Sequence, residues 1–303
     1  MGAGALGTLF GYTFAESHDV SYLDVRADLI ATIAQDGVTL DDRPAHRVRI
    51  SADPQDLFGS EMLFVFVRAT DTLRALRPFA GKLNPATPIV SFQNGLGNEE
   101  AIKTALGGSI ALVLGATTES SILIEPGRAR SIGDGTTVVG SAGASPQTCR
   151  KVAEAMTGSG LRAASVQDIR PHLWGKLIAN ATLNPLCALL ERPNGEIIAN
   201  ANAVELARSI AREAAAVAQA LRIPLPFIDP WAYVGEVAAQ TAEIRNSMVI
   251  DLAAGLPTEI DYINGAIVAA GRRARVPTPY NDAMTRLIKA REASASLRLD
   301  GTV

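Results

Sequence analysis

The chain opens with Gly2-Ala3-Gly4-Ala5-Leu6-Gly7, a complete G-x-G-x-x-G with only Met1 ahead of it. In a βαβ unit such glycines form the turn between a central strand and the helix that follows. One allows the tight turn, one the close approach of backbone to a pyrophosphate, and one the close packing of helix on strand. The motif therefore implies a dinucleotide cradle at Gly2, Gly4, Ala5, Leu6 and Gly7, and a doubly wound sheet around it. The strand that should precede it is absent from the sequence. We expect the start to lie upstream, and a chain beginning here to carry a gap in mid-sheet that weakens cofactor binding or folding.

The pattern downstream of the glycines agrees with such a sheet. Leu6 to Ala15 reads as a helix and Val20 to Leu23 as a short strand ending at Asp24. Met62 to Val67 and Ile89 to Phe92 are apolar runs too short for helices and suit buried parallel strands, whose carboxyl ends face the ligand. Arg128 to Ile132 and Thr136 to Val139, separated by Gly-Asp-Gly, read as a hairpin closing the first domain. Beyond Pro171 the signals are helical: Ala203 to Leu221, Pro230 to Ile250 and Asp261 to Arg272. A length of 303 residues suits two domains of about 150 each. The expected architecture is an α/β Rossmann-type domain over 1–168, its first strand missing, followed by an all-α domain over 169–303.

Composition narrows the partners. Hydrophobic residues make up 48% and charged residues 19%, with a net charge of -3, so nothing favours nucleic acid or an anionic membrane surface. The ligand expected is a small molecule. Cys149 and Cys187 lie far apart without ligand spacing, which reads as two buried free thiols and no metal site. No leader pattern and no uncharged run near the ~18 residues of a membrane span is present, so a cytoplasmic location is expected.

Two groups of residues carry the chemistry. At the end of the second strand, Asp24 could accept from a ribose 2′-hydroxyl as in NAD, whereas Arg26, with Arg68 after the next apolar run, could clamp the 2′-phosphate of NADP. The two arginines favour NADP(H). In the second half, Lys176, Asn180 and Asn184 recur at four-residue spacing on an apolar helix pattern, which stacks them on one face. A lysine in such surroundings has a lowered pKa and can donate a proton near neutral pH. Its bland alternative is a lysine that snorkels to solvent, with the asparagines capping backbone near Pro185.

With Gln93-Asn94-Gly95-Leu96-Gly97, Trp174-Gly175-Lys176-Leu177, Pro193-Asn194-Gly195-Glu196, Asn246-Ser247-Met248 with Asp251, Thr258-Glu259-Ile260-Asp261-Tyr262-Ile263-Asn264-Gly265 and Val276-Pro277-Thr278-Pro279, the sequence resembles the ketopantoate reductases over essentially its whole length. The resemblance implies NADPH-dependent reduction of ketopantoate to pantoate. Lys176 would then be the general acid and Glu259 would hold it beside the substrate hydroxyl and the cofactor. Asn94 would contact both cofactor and substrate, and Asn180, Asn184, Asn194 and Ser247 would bind substrate. Arg26 and Arg68 would hold the 2′-phosphate.

The chain departs from that pattern at the first strand, at Arg68 where relatives carry lysine, and at Asp24, an acid near the phosphate site. Two other readings stay open: a D-2-hydroxy acid dehydrogenase for another branched or aromatic 2-oxo acid, using NAD, and a non-catalytic cofactor-binding protein. A homodimer through the apolar helical domain is left open as well, because a buried face and an interface face look alike in sequence.

Overall fold

The computed structural model describes residues 1–294, which form two compact units. The first comprises Met1–Gln93 with Asn98–Ile169, and the second comprises Asn94–Gly97 with the chain from Arg170 onward. The short loop Asn94–Gly97, which the sequence reading leaves with the first domain, joins the helical unit because the Leu96 N–H donates to Tyr262 O at 2.9 Å.

In chain order the first unit contains α1 (Ala5–Ala15), β1 (Ser21–Leu23), α2 (Ala27–Asp36), β2 (Thr39–Leu40), β3 (Arg49–Ser51), β4 (Leu63–Val65), α3 (Thr72–Leu76) and β5 (Pro88–Ser91). It continues with α4 (Asn98–Leu106), β6 (Ala111–Thr117), β7 (Ser121–Glu125), β8 (Arg128–Ser131), β9 (Thr137–Ser141), α5 (Pro146–Gly158) and β10 (Ala163–Ser165). The main sheet runs in the order β10-β9-β6-β5-β4, parallel except where β6 meets β9, and β1 and β3 form a separate parallel pair.

Between these two pieces lies the beginning of the chain. The Met1 amino nitrogen donates to Phe64 O at 2.8 Å and Met1 O accepts from the Phe66 N–H at 2.9 Å, while on the other side the Gly2 N–H donates to Leu23 O at 2.8 Å. Met1 and Gly2 are not assigned to a strand, yet they span the slot between β1 and β4 with ladder-like bonds. The glycine loop is thereby anchored on both sides.

Helix α1 lies over this slot. Phe10, fully buried, packs its ring 5.1 Å from Phe66 and 5.1 Å from Phe92, and the rings of Phe64, Phe66 and Phe92 stack within 11° of parallel. Truncating Phe10 to alanine would cost about 3–5 kcal/mol by loss of this packing. The Tyr22 hydroxyl on β1 donates to Gly7 O at 3.3 Å, and burial pushes its pKa upward.

The expected hairpin between Arg128–Ile132 and Thr136–Val139 does not form. β8 instead pairs antiparallel with β7 and parallel with β2, whereas β9 crosses to the main sheet and pairs with β6 and β10. The tight turn of the hairpin falls at Gly127, with φ of 78°, one position where a left-handed conformation is needed. The Gly-Asp-Gly segment is a connection between sheets, because β9 is mostly buried and pairs with β6 and β10.

Among the described residues of the second unit every regular element after Arg170 is helical: α6 (Arg170–Leu190), α7 (Asn194–Ala199), α8 (Ala201–Ala220), α9 (Pro230–Gln240), α10 (Ser247–Ala253), α11 (Asn264–Ala274) and α12 (Pro279–Ser294). The expected helix over Pro230 to Ile250 is two helices, because Asn246 caps a new start by accepting from the Val249 N–H at 3.3 Å. Asp261 to Ile263 is likewise a turn, with α11 beginning only at Asn264. Apolar faces of α6, α8, α9 and α11, including Ile178, Leu186, Ile210, Val217, Val234 and Ile267, enclose a common core.

Candidate functional site

On the first unit the glycine motif has the geometry of an anion cradle. Gly2 sits at φ of 86°, and a Cβ there would lie 2.9 Å from the Val67 backbone nitrogen. A Cβ at Gly7 would come within 2.0 Å of Gly2 O, so this glycine is fixed by close packing of α1. At Gly4 a Cβ would meet nothing within 4 Å. Gly4 is also the N-cap of α1, supplies no side-chain cap, and is followed by a first turn without acidic residues. Free N–H groups, the helix dipole and an open face with no side chain make this a fit for a pyrophosphate. Ala5 and Leu6 provide the first-turn amides of that helix.

The strands flanking the loop deliver the neighbouring charges. Asp24 follows β1 and accepts from the Ala3 N–H at 2.8 Å through Oδ2, and from the Val25 and Arg26 N–H groups at 2.8 and 3.1 Å through Oδ1. Burial pushes its pKa up, but these N–H donors and the Arg26 guanidinium outweigh burial and hold it below the ordinary carboxylate value. Asp24 is therefore ionised and braces the glycine loop. Arg26, the N-cap of α2, is exposed, with Nε 3.4 Å from Asp24 Oδ1. Arg68 follows β4 as the N-cap of the next short turn and is partly buried. Both arginines thus leave carboxyl ends of strands on either side of the glycine loop.

On the second unit α6 carries Lys176, Asn180 and Asn184 on one face, as their spacing predicts. Lys176 and Asn180 are half-buried and Asn184 is buried. Burial lowers the Lys176 pKa from 10.5 to about 8, and the nearby charge of Glu259 acts in the opposite direction. Glu259, 8% exposed, lies in the turn before α11 and accepts from Asn94 Nδ2 at 3.1 Å through Oε2. The fold brings Lys176, Glu259 and Asn94 together from three distant segments. A cation poised to lose its proton, beside a buried carboxylate and amide groups, can donate a proton to a developing oxyanion.

The chain as a whole has known relatives. The family model described as Ketopantoate reductase PanE/ApbA matches residues 1–144, and the one described as Ketopantoate reductase PanE/ApbA C terminal matches residues 168–292. A 2-dehydropantoate 2-reductase of Archaeoglobus fulgidus is 33% identical over 299 residues, 97% of each chain. The chain belongs to the ketopantoate reductase family. It is, like those relatives, an oxidoreductase.

Solved structures are similar over nearly the whole chain. A PanE/ApbA family ketopantoate reductase from Ralstonia eutropha superposes with a TM-score of 0.89 at 27% identity, covering 98% of each chain. The ternary structure of D-mandelate dehydrogenase with NADH and anilino(oxo)acetate gives a TM-score of 0.89 at 26% identity, covering 97% of this chain and 98% of that one.

Two further family-motif residues lie on other helices of this ketopantoate reductase family member. The Asn194 amide is occupied within the protein: Nδ2 donates to Thr241 Oγ1 at 2.9 Å, and Oδ1 accepts from Asn246 Nδ2 at 3.0 Å and from the Cys187 thiol at 3.3 Å. Asn194 thereby ties α6, α7 and the segment before α10 together. Ser247 is exposed at the first turn of α10, where Asn246 and not Ser247 supplies the cap. Cys149 and Cys187 are buried free thiols, and burial pushes the Cys187 pKa up to about 12. Among the described residues no group of His, Cys, Asp and Glu is placed to hold a metal ion, and no helix is long and apolar enough to cross a membrane.

Two positioning contacts escape a reading of spacing alone. Gln93 donates from Nε2 to Val67 O at 2.8 Å and to Thr72 Oγ1 at 2.7 Å, fastening the loop beyond β4 to the end of β5. Asn264, at the start of α11, donates to Ala181 O on α6 at 2.9 Å. The only hint of the second is Pro185, which signals that some carbonyl one turn earlier lacks its helical donor.

Proposed function

We propose that this protein reduces ketopantoate to pantoate with NADPH, with Lys176 as the proton donor. The observation that carries the reading is the lysine itself, whose pKa is lowered to about 8 by burial while Glu259 favours its charged form. At pH 7 such a group is protonated in about a tenfold excess over its neutral form, yet gives up its proton readily. Gly2, Gly4, Ala5, Leu6 and Gly7 would hold the pyrophosphate, and Arg26 and Arg68 the 2′-phosphate. When bound there, NADPH supplies hydride to the keto carbon.

The chain's own residues do the rest. As the carbonyl becomes an alkoxide, negative charge grows on its oxygen. The Lys176 ammonium stabilises that charge and passes its Nζ proton to it. Glu259 keeps Lys176 charged and accepts a hydrogen bond from the substrate hydroxyl. Asn180 and Asn184 present amides along the same helix face to the substrate carboxylate and hydroxyl, with Ser247 as a further hydroxyl donor. Asn94 holds Glu259 through its amide. We assign Asn194 to the scaffold, since its amide already has protein partners. With this biosynthetic role goes a cytoplasmic location.

A second reading has its own support. Asp24 is ionised at the end of β1, where a cofactor ribose would lie, and the D-mandelate dehydrogenase neighbour binds NADH. A D-2-hydroxy acid dehydrogenase using NADH on an aromatic 2-oxo acid is therefore the alternative. The test is oxidation of NADPH and NADH, followed by absorbance, with ketopantoate and with phenylglyoxylate. Fastest turnover of ketopantoate with NADPH, reduced about 10²–10⁴-fold in Lys176→Ala, supports the reading. Preference for phenylglyoxylate with NADH moves the assignment to the dehydrogenase, and no turnover of either returns the non-catalytic binding protein.

A further inference from the structure

Pro185 lies inside α6. Having no N–H, it leaves the carbonyl of Ala181, one turn back, without the donor an α-helix provides. Another element supplies that donor: Asn264 Nδ2 reaches Ala181 O at 2.9 Å. The same amide nitrogen donates to Asn281 Oδ1 at 3.1 Å, and Asn281 Nδ2 in turn donates to Ile210 O at 3.3 Å and to Glu213 Oε2 at 2.8 Å. Asn264 and Asn281 are both fully buried. The direction of this chain of bonds is set by acceptors that cannot rotate. Turning the Asn264 amide over would place its oxygen against two other oxygens.

In this arrangement Asn264 Oδ1 is buried with no hydrogen-bond partner. A bare buried acceptor is costly, and an apolar side chain with a regular helix in place of Pro185 would avoid it. What the arrangement provides is a fixed link between two segments. Ala181 sits directly after Asn180 and within the turns that carry Lys176 and Asn184. At the other end Asn264 is joined to Glu259 by a tight turn. The Tyr262 and Ile263 N–H groups donate to Glu259 O at 3.0 and 3.1 Å, and the Gly265 N–H donates to Ile260 O at 2.9 Å.

We propose that Asn264 is a positioning residue for the reaction: by bonding the carbonyl that Pro185 orphans, it sets the Lys176, Asn180 and Asn184 face of α6 against Glu259. The proposal rests on the reading of Lys176 as proton donor. Asn264 itself touches neither substrate nor cofactor in this scheme.

The test is a double-mutant cycle of Asn264→Leu and Pro185→Ala, because alanine at 185 returns an N–H to Ala181 O within the helix and makes the Asn264 donor dispensable. Measured for each variant are kcat, KM for ketopantoate, the NADPH dissociation constant and the rate of Lys176 acylation by acetic anhydride, read by mass spectrometry. Asn264→Leu is expected to lose about tenfold or more in kcat, as displaced catalytic groups do. NADPH affinity and the activity of Pro185→Ala should stay within about twofold of the parent. The double variant is expected to regain most of the lost kcat.

A double variant as slow as Asn264→Leu, or an Asn264→Leu enzyme with parental kcat, would overturn the proposal. Should Asn264→Leu fail to fold, a folded and active double variant supports the link, and a double variant that is unfolded or slow refutes it. A parent without ketopantoate turnover is a failure of the functional reading alone. The acylation rates then decide: a rate altered in Asn264→Leu and restored in the double variant supports positioning, and equal rates throughout refute it.

Discussion

Asn94 Nδ2 donates to Glu259 Oε2 at 3.1 Å across 165 positions of sequence. The bond ties the loop that leaves β5 to the turn that opens α11, and the Leu96 N–H bond to Tyr262 O beside it makes the junction two-pronged. The Asn94 amide thus helps hold Glu259 while its charge acts on Lys176. Burial lowers the pKa of the lysine, and this carboxylate works against burial by favouring the charged form.

If Lys176 is the proton donor, reduction requires its ammonium form, and kcat/KM for the 2-oxo acid is expected to fall as pH rises through about 8. Glu259 raises that pKa. Replacing it with glutamine removes the negative charge, lowers the lysine pKa further and moves the falling limb to lower pH. A pH profile of Glu259→Gln beside the parent checks this. A limb that stays in place would mean that another group sets it.

Gly4 and Gly7 are expected to fail in different ways. Gly4→Ala adds a methyl group to open space, so the protein should fold with parental thermal stability and bind NADPH more weakly because the methyl obstructs the pyrophosphate. Gly7→Ala would drive a Cβ to 2.0 Å from Gly2 O, so it should lower the unfolding temperature as well, with a cost of about 1–3 kcal/mol. Thermal unfolding and cofactor titration of the two variants separate these effects.

If Arg26 and Arg68 read the 2′-phosphate, each truncation to alanine removes a charge-assisted bond worth about 1.5–3 kcal/mol. NADPH affinity should then fall roughly 10–100-fold while NADH affinity changes little. Parallel titrations with the two cofactors measure the ratio. Equal losses for both would assign the arginines to the fold or to the pyrophosphate.

Asn194→Ala leaves Thr241 and Asn246 without their shared partner. A loss of about 1–3 kcal/mol in stability is expected from the unpaired groups, with KM for the substrate unchanged. Thermal unfolding and substrate saturation curves read the two. A raised KM at parental stability would instead give Asn194 the substrate contact that its motif implies.

Much of this was legible in the linear chain because it depends on local chemistry. The glycine spacing is the geometry of a turn, and the four-residue recurrence of Lys176, Asn180 and Asn184 is the geometry of one helix face. The misreadings arose where local signals were ambiguous. Arg128–Ile132 and Thr136–Val139 each read as strands, but which partner a strand takes depends on buried faces far away, so β8 and β9 went to different sheets. Between Pro230 and Ile250 the helical pattern hid the break at which Asn246 caps a new helix.

The sequence by itself determined the order of the domains, the place of the glycine cradle and the helix face that bears the lysine, since each follows from residues within a few positions of one another. Only the tertiary structure decided that Asp24 turns to brace Ala3, that Asn94 bonds Glu259, that Asn194 bonds Thr241 and Asn246, and that Asn264 serves Ala181. These are hydrogen bonds between distant segments. Each residue has several partners of equal chemical merit, and the packing of the core selects among them by removing water from all but one.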